Sequence, residues 1–285
     1  MSLRIGVTGS KGRLGSWLTQ EESCIPLPCD IRNEKATKKA IESVSPDVII
    51  NCAAWTDVDG AEDGRRYKRV MDVNLRGPAN VRRAFDGLLI HISTGFVFDG
   101  TDGPNKEEDL AGPVNTYGWS KFGGERAALM RQPTVVVRVL DLFGPGPKTD
   151  FVRQVRDLLE LGAEKELPDN LYGTPTNITH LSEALLDIVQ RCGGHGKSFA
   201  RPDLLHIAGD TTLSRFEWGQ VIAEHFGHDP NLIKPTSKIK GVAPRPLRGG
   251  LNTDKAKSLG IPIYSPAEGL VALSEWESSR GESES

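Results

Sequence analysis

Tyr117 and Lys121 stand four residues apart in a stretch with helical character. On a helix both side chains project from one face, about one turn apart. A phenol with an ordinary pKa of about 10 is a poor acid-base catalyst at neutral pH, and a neighbouring ammonium favours its phenolate. The spacing therefore predicts a proton-transferring tyrosine whose pKa is lowered by Lys121. Amphipathic helices often contain such a pair by chance. The catalytic interpretation therefore depends on the segments that precede it in the sequence.

A glycine-rich loop follows the first apolar run of the chain, residues 3–8. Gly9, Gly12 and Gly15 occupy the turn between this predicted strand and a predicted helix. Here glycine permits a tight turn, close approach of backbone N–H groups to a pyrophosphate, and close packing of helix on strand. The spacing is looser than the common G-x-G-x-x-G. We interpret the loop as a dinucleotide-binding site, the alternative being a structural turn.

The type of dinucleotide depends on charges near the second predicted strand. Asp30 follows that strand, in the region where an acidic residue would bond the ribose hydroxyls. It could instead cap the next helix, a role for which Asn33 competes. Lys11, Arg13 and Arg32 lie where a 2'-phosphate could use them, although each could equally be a solvated surface charge. We therefore favour NADP(H) slightly over NAD(H).

A hydroxyl group ends the strand predicted over residues 88–93. Ligands of parallel α/β proteins bind beyond the carboxyl ends of the strands, so Thr94 could hydrogen-bond a substrate carbonyl. The alternative is a hydroxyl that caps a helix or turn. His91 alternates with apolar neighbours, and we interpret it as a core or cofactor-side histidine. The glycine loop, Thr94, Tyr117 and Lys121 follow one another in the order that a reductase needs.

The apolar pattern describes the scaffold. Strand-length runs alternate with longer periodic stretches up to about residue 145, which predicts βαβ units and a parallel sheet. A long helical stretch before residue 88 is interrupted near Gly77-Pro78. The other predicted helices are a short one from residue 12, then 33–44, 116–130, 151–161, 181–191 and 213–226. The predicted strands are 3–8, 25–27, 48–51, 88–93, 134–138 and 204–208.

Composition excludes several classes of function. The 285 residues carry 35 Lys and Arg against 38 Asp and Glu, a net charge of −3. No long basic run indicates a nucleic acid or an anionic membrane as partner. No segment approaches the roughly 20 apolar residues of a membrane helix, and the first residues lack the apolar core of a signal peptide. The four cysteines lack metal-ligand spacing. We expect a reduced, cytoplasmic protein.

Taken together, these segments resemble the extended short-chain dehydrogenases/reductases, and within them the dTDP-4-dehydrorhamnose reductase branch. The resemblance implies a Rossmann-type, doubly wound parallel α/β sheet with a smaller C-terminal α/β domain for the substrate. It assigns residues 1–145 and about 171–200 to the first domain, and about 146–170 and 201–275 to the second. Residues 276–285 are polar and rich in Gly and Ser, so we expect a disordered tail. The matching segments are 8–15, 30–31, 46–59, 73–74, 91–100, 115–121, 173–176, 245–246 and 251–254.

The resemblance also implies roles for individual residues, with the glycines at the pyrophosphate and Asp30 and Ile31 beside the adenine. The catalytic group would be Thr94, Tyr117 and Lys121. The cofactor residues would be Gly9, Ser10, Lys11, Gly12, Arg13, Leu14, Gly15, Asp30, Ile31, Ala53, Ala54 and Lys121. The substrate residues would be Thr56, Val58, Thr94, Gly95, Phe96, Tyr117 and Asp141. We predict no metal site.

The chain departs from the family pattern at four places. Gly95-Phe96 replaces an Asp-Tyr pair, Asp141 replaces a substrate-facing tryptophan, and Asp150 replaces an asparagine. The stretch between Gly15 and Asp30 is also short. These changes leave hydride chemistry in place and concern the sugar that is recognised.

The expected function is NAD(P)H-dependent reduction of a nucleotide-activated 4-keto-6-deoxy sugar, as in deoxysugar and polysaccharide biosynthesis, by a protein that could form a homodimer. One alternative is an epimerase or dehydratase of the same superfamily. Gly95-Phe96 argues against a dehydratase, which commonly has Asp-Glu there. The other alternative is a non-catalytic NADP-binding regulatory subunit, like the β subunit of methionine adenosyltransferase.

Overall fold

The computed structural model describes residues 3–193 and 203–281. The strands are β1 (Ile5–Thr8), β2 (Cys24–Pro26), β3 (Val48–Asn51), β4 (Leu88–Thr94), β5 (Thr134–Val139), β6 (Leu142–Phe143), β7 (Lys165–Pro168), β8 (Tyr172–Gly173), β9 (Thr176–Asn177), β10 (Leu204–His206), β11 (Leu213–Ser214) and β12 (Ile233–Thr236). The α-helices are α1 (Arg13–Leu18), α2 (Glu34–Val44), α3 (Tyr67–Met71), α4 (Gly77–Ala84), α5 (Thr116–Leu129), α6 (Phe151–Glu160), α7 (Ile178–Gly193), α8 (Arg215–His225), α9 (Asp254–Ser258) and α10 (Pro266–Gly281).

A six-stranded sheet in the order β2-β1-β3-β4-β5-β10 organises the chain, and all its strand pairs are parallel. In its register Thr8 lies opposite Asn51, and Thr94 lies opposite Val139. The carboxyl ends of β1, β3, β4 and β5 therefore share one edge of the sheet. This confirms the predicted Rossmann-type parallel sheet and places the predicted reacting groups at its ligand-binding edge.

Helices cover both faces of this sheet, so its strands are apolar on both sides. Along β4, Ile90 packs into a core shared with α1 and α7, whereas Leu89 packs into a core with α2 and α4. The same alternation holds for Ile50 and Ile49 on β3. Successive side chains of a strand point to opposite faces, which explains why continuous apolar runs mark these strands.

A smaller unit has its own core around Trp218, which is 2% exposed. Phe143, Val152, Leu167 and Ile233 pack in the same cluster, which joins α6, α8 and α10 to the two-stranded parallel pair of β7 and β12. This smaller unit is therefore built from segments that are separated in the sequence.

The predicted boundary of that unit was wrong over part of its length. Residues 201–275 were assigned to it, yet Leu204–His206 pairs in parallel with β5 as the last strand of the main sheet. Ala256 and Ile261 also pack into the main core. The reason is that the apolar strand gains backbone partners and buried faces only at the open edge of β5.

The interruption predicted near Gly77-Pro78 takes the form of a π turn (Asp72–Arg76) directly before Gly77, and the helical stretch continues from α3 through this turn into α4. Pro78 lies in the first turn of α4. A proline lacks the N–H and clashes with the carbonyl four residues earlier, and the wider π turn removes this conflict without ending the helix.

The predicted disordered tail was wrong for residues 276–281, which continue α10. Trp276 packs against the smaller core and lies edge-on to Trp17, with ring centroids 6.5 Å apart. Arg156 Nη1 lies 2.6 Å from Glu277 Oε2. The prediction failed because it used the average composition of this segment, which is rich in Ser and Glu, and so overlooked the contacts that Trp276 and Glu277 make. Residues 282–285 lie outside the described residues.

Replacing Trp276 by alanine should destabilise the fold, because it removes a partly buried ring that joins α10 to α1 and the smaller core. We expect a loss of about 2 kcal/mol in the free energy of unfolding, below the cost of a fully buried tryptophan. Urea denaturation followed by circular dichroism measures it, with Ser279→Ala as a control on the same helix. A loss no larger than that of the control would show that the last turns of α10 do not dock.

Candidate active site

A cavity of about 510 Å³ opens at the carboxyl edge of the sheet and reaches the smaller unit through residues 148–151. The predicted residues at its wall are Gly12, Arg13, Leu14, Gly15, Ala54, Thr56, Val58, Thr94, Phe96, Tyr117, Lys121 and Asp141. The predicted residues outside the wall are Gly9, Ser10, Lys11, Asp30, Ile31, Ala53 and Gly95. The structure thus brings the glycine loop and the proposed catalytic group to one space.

The glycine loop leaves no room for side chains at two positions. Gly9 has a φ of +65°, and a Cβ there would lie 2.6 Å from the backbone nitrogen of Ala53. A Cβ on Gly15 would lie 2.3 Å from the carbonyl oxygen of Gly9. The loop is therefore packed tightly against the end of β3 and the start of α1. This bare backbone beside the cavity fits the approach of a dinucleotide pyrophosphate.

Arg13 does not present a free cation for a 2'-phosphate. Its Nη1 donates to the carbonyl of Gly144 at 2.7 Å and lies 3.0 Å from Asp150 Oδ2. Its Nη2 bonds the carbonyl of Lys148. The guanidinium therefore ties the glycine loop to the 144–150 loop. The charge of Asp150 adds an ion pair to these carbonyl contacts of Arg13.

Asp30 lies at the surface and is bound by its neighbour Arg32, whose Nε donates to Oδ1 at 2.9 Å and whose Nη2 donates to Oδ2 at 2.5 Å. This pairing with Arg32 lowers the pKa of Asp30. The cap of α2 is Asn33, whose side chain accepts from the N–H of Ala36 at 3.0 Å. Ile31 is buried in the core.

Tyr117 is buried in the cavity wall beside Phe96, with ring centroids 5.6 Å apart. Burial raises the pKa of the phenol to about 12, and a hydrogen bond with the Thr94 hydroxyl opposes that rise. The predicted lowering by Lys121 was therefore wrong in direction, because desolvation sets the pKa of the phenol and the group that opposes it is Thr94. A phenol that keeps its proton suits a group that must donate it.

Lys121 is also buried, and its Nζ donates to the carbonyl of Ile92 at 2.6 Å. Burial lowers its pKa to about 8, while the charge of Glu125 opposes that fall. The ammonium form still predominates at neutral pH. Lys121 thus places a positive charge in the wall of the cavity beside Thr94 and Tyr117.

The sequence reasoning missed part of the wall and everything behind it. Cys52 lines the cavity, and burial raises the pKa of its thiol to about 12. Glu125 forms a buried ion pair with Arg138, with Nη2 2.8 Å from Oε2. Glu125 follows Lys121 by four residues, so the same helical spacing that indicated Tyr117 and Lys121 could have found it.

Asp141 reaches the cavity from a strained backbone, with φ at +50°. Its carboxylate pairs with Arg215, whose guanidinium also lies over the ring of Phe151, 4.7 Å from the ring centroid. Left-handed backbone is costly for a residue with a side chain. The ion pair holds this carboxylate where the related family has an aromatic ring.

In the part of the chain that the structure describes, no group of three or more His, Cys, Asp or Glu residues could hold a metal ion. Across residues 3–193 and 203–281, no helix combines the length and the apolar character needed to cross a bilayer.

The family model described as the RmlD substrate binding domain matches residues 3–275. The chain belongs to this family. The RmlD family falls within the extended short-chain dehydrogenases/reductases, so the resemblance seen in the sequence is confirmed. The parallel sheet, the glycine loop and the helix that carries Tyr117 and Lys121 are the features of this chain on which the resemblance was based.

Several characterised proteins are similar over most of the chain. A dTDP-4-dehydrorhamnose reductase of Mycolicibacterium smegmatis is 34% identical, covering 95% of this chain and 84% of the relative. The methionine adenosyltransferase 2 subunit beta of Danio rerio is 30% identical, covering 88% and 78%. The crystal structure of dTDP-4-dehydrorhamnose reductase from Bacillus anthracis in complex with NADP has a TM-score of 0.85 at 26% identity, covering 96% and 99%.

The phenol of Tyr117 should remain protonated in the ligand-free protein far beyond neutral pH, because burial raises its pKa to about 12. Subtracting the tyrosinate absorbance titration of Tyr117→Phe from that of the wild type isolates this group among the four tyrosines. Tyr67→Phe, which removes an exposed phenol, controls for the loss of one chromophore. A difference curve with its midpoint below 10 would restore the lowering by Lys121.

Proposed function

We propose that this protein reduces the C4 ketone of a nucleotide-activated 4-keto-6-deoxy sugar with NADPH. The observation that carries the proposal is the convergence of Thr94, Tyr117 and Lys121 on one cavity that also reaches the glycine loop. A proton donor, a hydroxyl and an ammonium beside a dinucleotide loop are the parts that ketone reduction requires.

Each group has a separate task in this reaction. The bound nicotinamide supplies the hydride. Tyr117 donates the proton that the carbonyl oxygen takes up, and its raised pKa keeps that proton available. Thr94 hydrogen-bonds the oxygen as negative charge develops on it. Lys121 contributes positive charge to the same wall and would bind the nicotinamide ribose.

The substrate side supports a sugar nucleotide. Thr56 and Val58 line the cavity after β3, and the carboxylate of Asp141 lies at the opposite unit, where sugar hydroxyls could donate to it. The similar proteins of Mycolicibacterium smegmatis and Bacillus anthracis are named for a dTDP-linked sugar. We therefore propose a dTDP-linked sugar as the preferred substrate. We also propose that the protein acts in the cytoplasm, in the synthesis of deoxysugars. The homodimer remains a prediction.

Removing the phenol of Tyr117 should abolish most turnover, because general acid catalysis contributes about 10²- to 10⁴-fold. Tyr117→Phe should lower kcat by that range with dTDP-4-keto-6-deoxy sugar and leave the Kd for NADPH within about twofold. A panel of dTDP-, UDP- and GDP-linked 4-keto-6-deoxy sugars, each with NADH and NADPH, identifies the substrate. Wild-type turnover retained by the variant would refute the role of Tyr117.

The preference for NADP(H) is supported by Arg32. Its guanidinium is the exposed cation at the end of the second strand, and it already engages Asp30, the residue that would otherwise bond the ribose hydroxyls of NAD. An exposed pair of this kind contributes little stability, so Arg32 could turn to a 2'-phosphate.

Arg32→Ala should raise the KM for NADPH about tenfold and leave that for NADH within twofold, since one phosphate contact is lost. Arg65 is a matched control, because it forms the same two-residue pairing with Asp63, with Nη2 2.9 Å from Oδ2. Arg65→Ala should leave both KM values unchanged. An equal loss for both cofactors in Arg32→Ala would count against the 2'-phosphate contact.

A regulatory subunit is the second candidate, favoured by the 30% identity to the methionine adenosyltransferase 2 subunit beta of Danio rerio. The buried Tyr117, Thr94 and Lys121 favour the enzyme. The amount of NADPH consumed per keto sugar distinguishes a reductase from a regulatory subunit and from an epimerase. A reductase consumes one NADPH per keto sugar, an epimerase regenerates its cofactor, and a regulatory subunit binds NADPH without turnover on the whole panel.

A further inference from the structure

A buried ion pair lies directly behind the proposed catalytic group. Glu125 stands one helical turn after Lys121 on α5, and Arg138 lies on β5. Two hydrogen bonds join them, from Arg138 Nε to Oε1 at 2.9 Å and from Nη2 to Oε2 at 2.8 Å. Their side chains are 3% and 4% exposed. This two-point geometry is the strong form of a guanidinium–carboxylate contact.

The pair continues toward the cavity and away from it. Ser93, the residue before Thr94, donates from Oγ to Glu125 Oε1 at 2.6 Å. On the far side Arg138 Nη1 lies 3.5 Å from Nε2 of His206. Nδ1 of His206 lies 3.2 Å from the carbonyl of Asn252, so Nδ1 carries the proton and Nε2 accepts. Burial lowers the pKa of His206 to about 3, which leaves it uncharged at neutral pH.

Stability alone is a weak reason for this arrangement. Taking a carboxylate and a guanidinium out of water costs much of what their attraction returns, and an apolar pair of similar size often stabilises a core as well or better. The position of the pair is more informative. Its carboxylate accepts from Ser93, the residue before Thr94. It also stands one helical turn after Lys121, whose charge it stabilises.

We propose that Glu125, fixed by Arg138, is a positioning residue that holds Lys121 in its ammonium form and, through Ser93, holds the end of β4 that carries Thr94. Glu125 touches neither the cavity nor a reacting atom. It acts as an internal counter-charge for one catalytic side chain and as an anchor for the strand that presents another.

Glu125 is the group near Lys121 that can act as its counter-charge. Among the described residues, the charge of Lys121 interacts with Glu125 on its own helix, Cys52 after β3 and His91 on β4. Tyr117 stands one helical turn before Lys121 on α5. Burial raises the pKa values of Cys52 and Tyr117 to about 12 and lowers that of His91 well below its usual value. All three are therefore neutral near pH 7. Glu125 supplies the negative charge that opposes the loss of a proton from Lys121.

The charge of Lys121 can be titrated without cofactor or substrate. The rate at which acetic anhydride modifies Lys121, followed by peptide mass spectrometry across a pH series, gives its midpoint in the ligand-free protein. Glu125→Gln should lower that midpoint by roughly one pH unit. From a pKa of about 8, this raises the neutral fraction at pH 7 about fivefold. The double variant Glu125→Gln, Arg138→Met removes both members of the ion pair, so that neither of the two is left buried alone. It should shift the midpoint in the same direction by less.

The matched control is Arg82, a guanidinium 2% exposed that donates to the carbonyl of Pro133 at 2.9 Å. Arg82→Met should lower the melting temperature and leave the Lys121 midpoint in place. If Glu125→Gln does not fold, the double variant decides the matter. A folded variant without the carboxylate whose Lys121 midpoint equals that of the wild type would overturn the counter-charge role.

The kinetic readout rests on the proposed function. With the keto sugar and NADPH, Glu125→Gln should move the alkaline limb of the kcat profile to lower pH with the Lys121 midpoint. Ser93→Ala should lower kcat severalfold with that midpoint unmoved, and an unchanged kcat would remove the anchoring role. If the wild type reduces no keto sugar, the proposed function fails, while the modification rates still decide the counter-charge role.

Discussion

Parallel pairing of β4 with β3 and β5 determines where every proposed reacting group stands. Its register sets Asn51 opposite His91 and Thr94 opposite Val139. Side chains alternate along a strand, so a slip of one residue would turn Thr94 from the cavity into the core. Because all six strands run in the same direction, the glycine loop after β1, the segment after β3 and the end of β4 reach the same edge.

The helix α5 completes the site because it packs closely on the segment after β4 and on the π turn before α4. A Cβ on Gly118 would lie 2.3 Å from the carbonyl oxygen of Phe96, and one on Gly124 would lie 2.1 Å from that of Asn74. Glycine weakens an isolated helix, so these positions trade helix propensity for close packing. That contact is what buries Tyr117 and Lys121, and burial is the first cause of both pKa shifts.

The features that depend on local sequence, such as strand position and motif spacing, could be predicted from the sequence. The strand at 48–51 was predicted with its observed bounds. The order and spacing of motifs predicted Thr94, Tyr117 and Lys121, which line one cavity in the structure. Features decided by distant partners were missed or wrong. Leu204–His206 joins the main sheet only because β5 has an open edge, and Trp276 is ordered by Trp17. The pKa direction of the phenol depends on burial, which spacing does not reveal.

The two sides of the cavity have different structural origins, and this separates chemistry from specificity. The reacting groups stand on the sheet and α5, whereas the facing wall, including Asp141, follows β5 into the smaller unit. Asp141 keeps its strained backbone because Arg215 holds its carboxylate. This facing wall is nevertheless linked to the glycine loop, because Arg13 at the start of α1 bonds to the 144–150 loop. If the proposed function holds, a change of sugar can arise at Asp141 without disturbing the proposed proton donor. A change at Asp150 would reach the glycine loop as well, through Arg13.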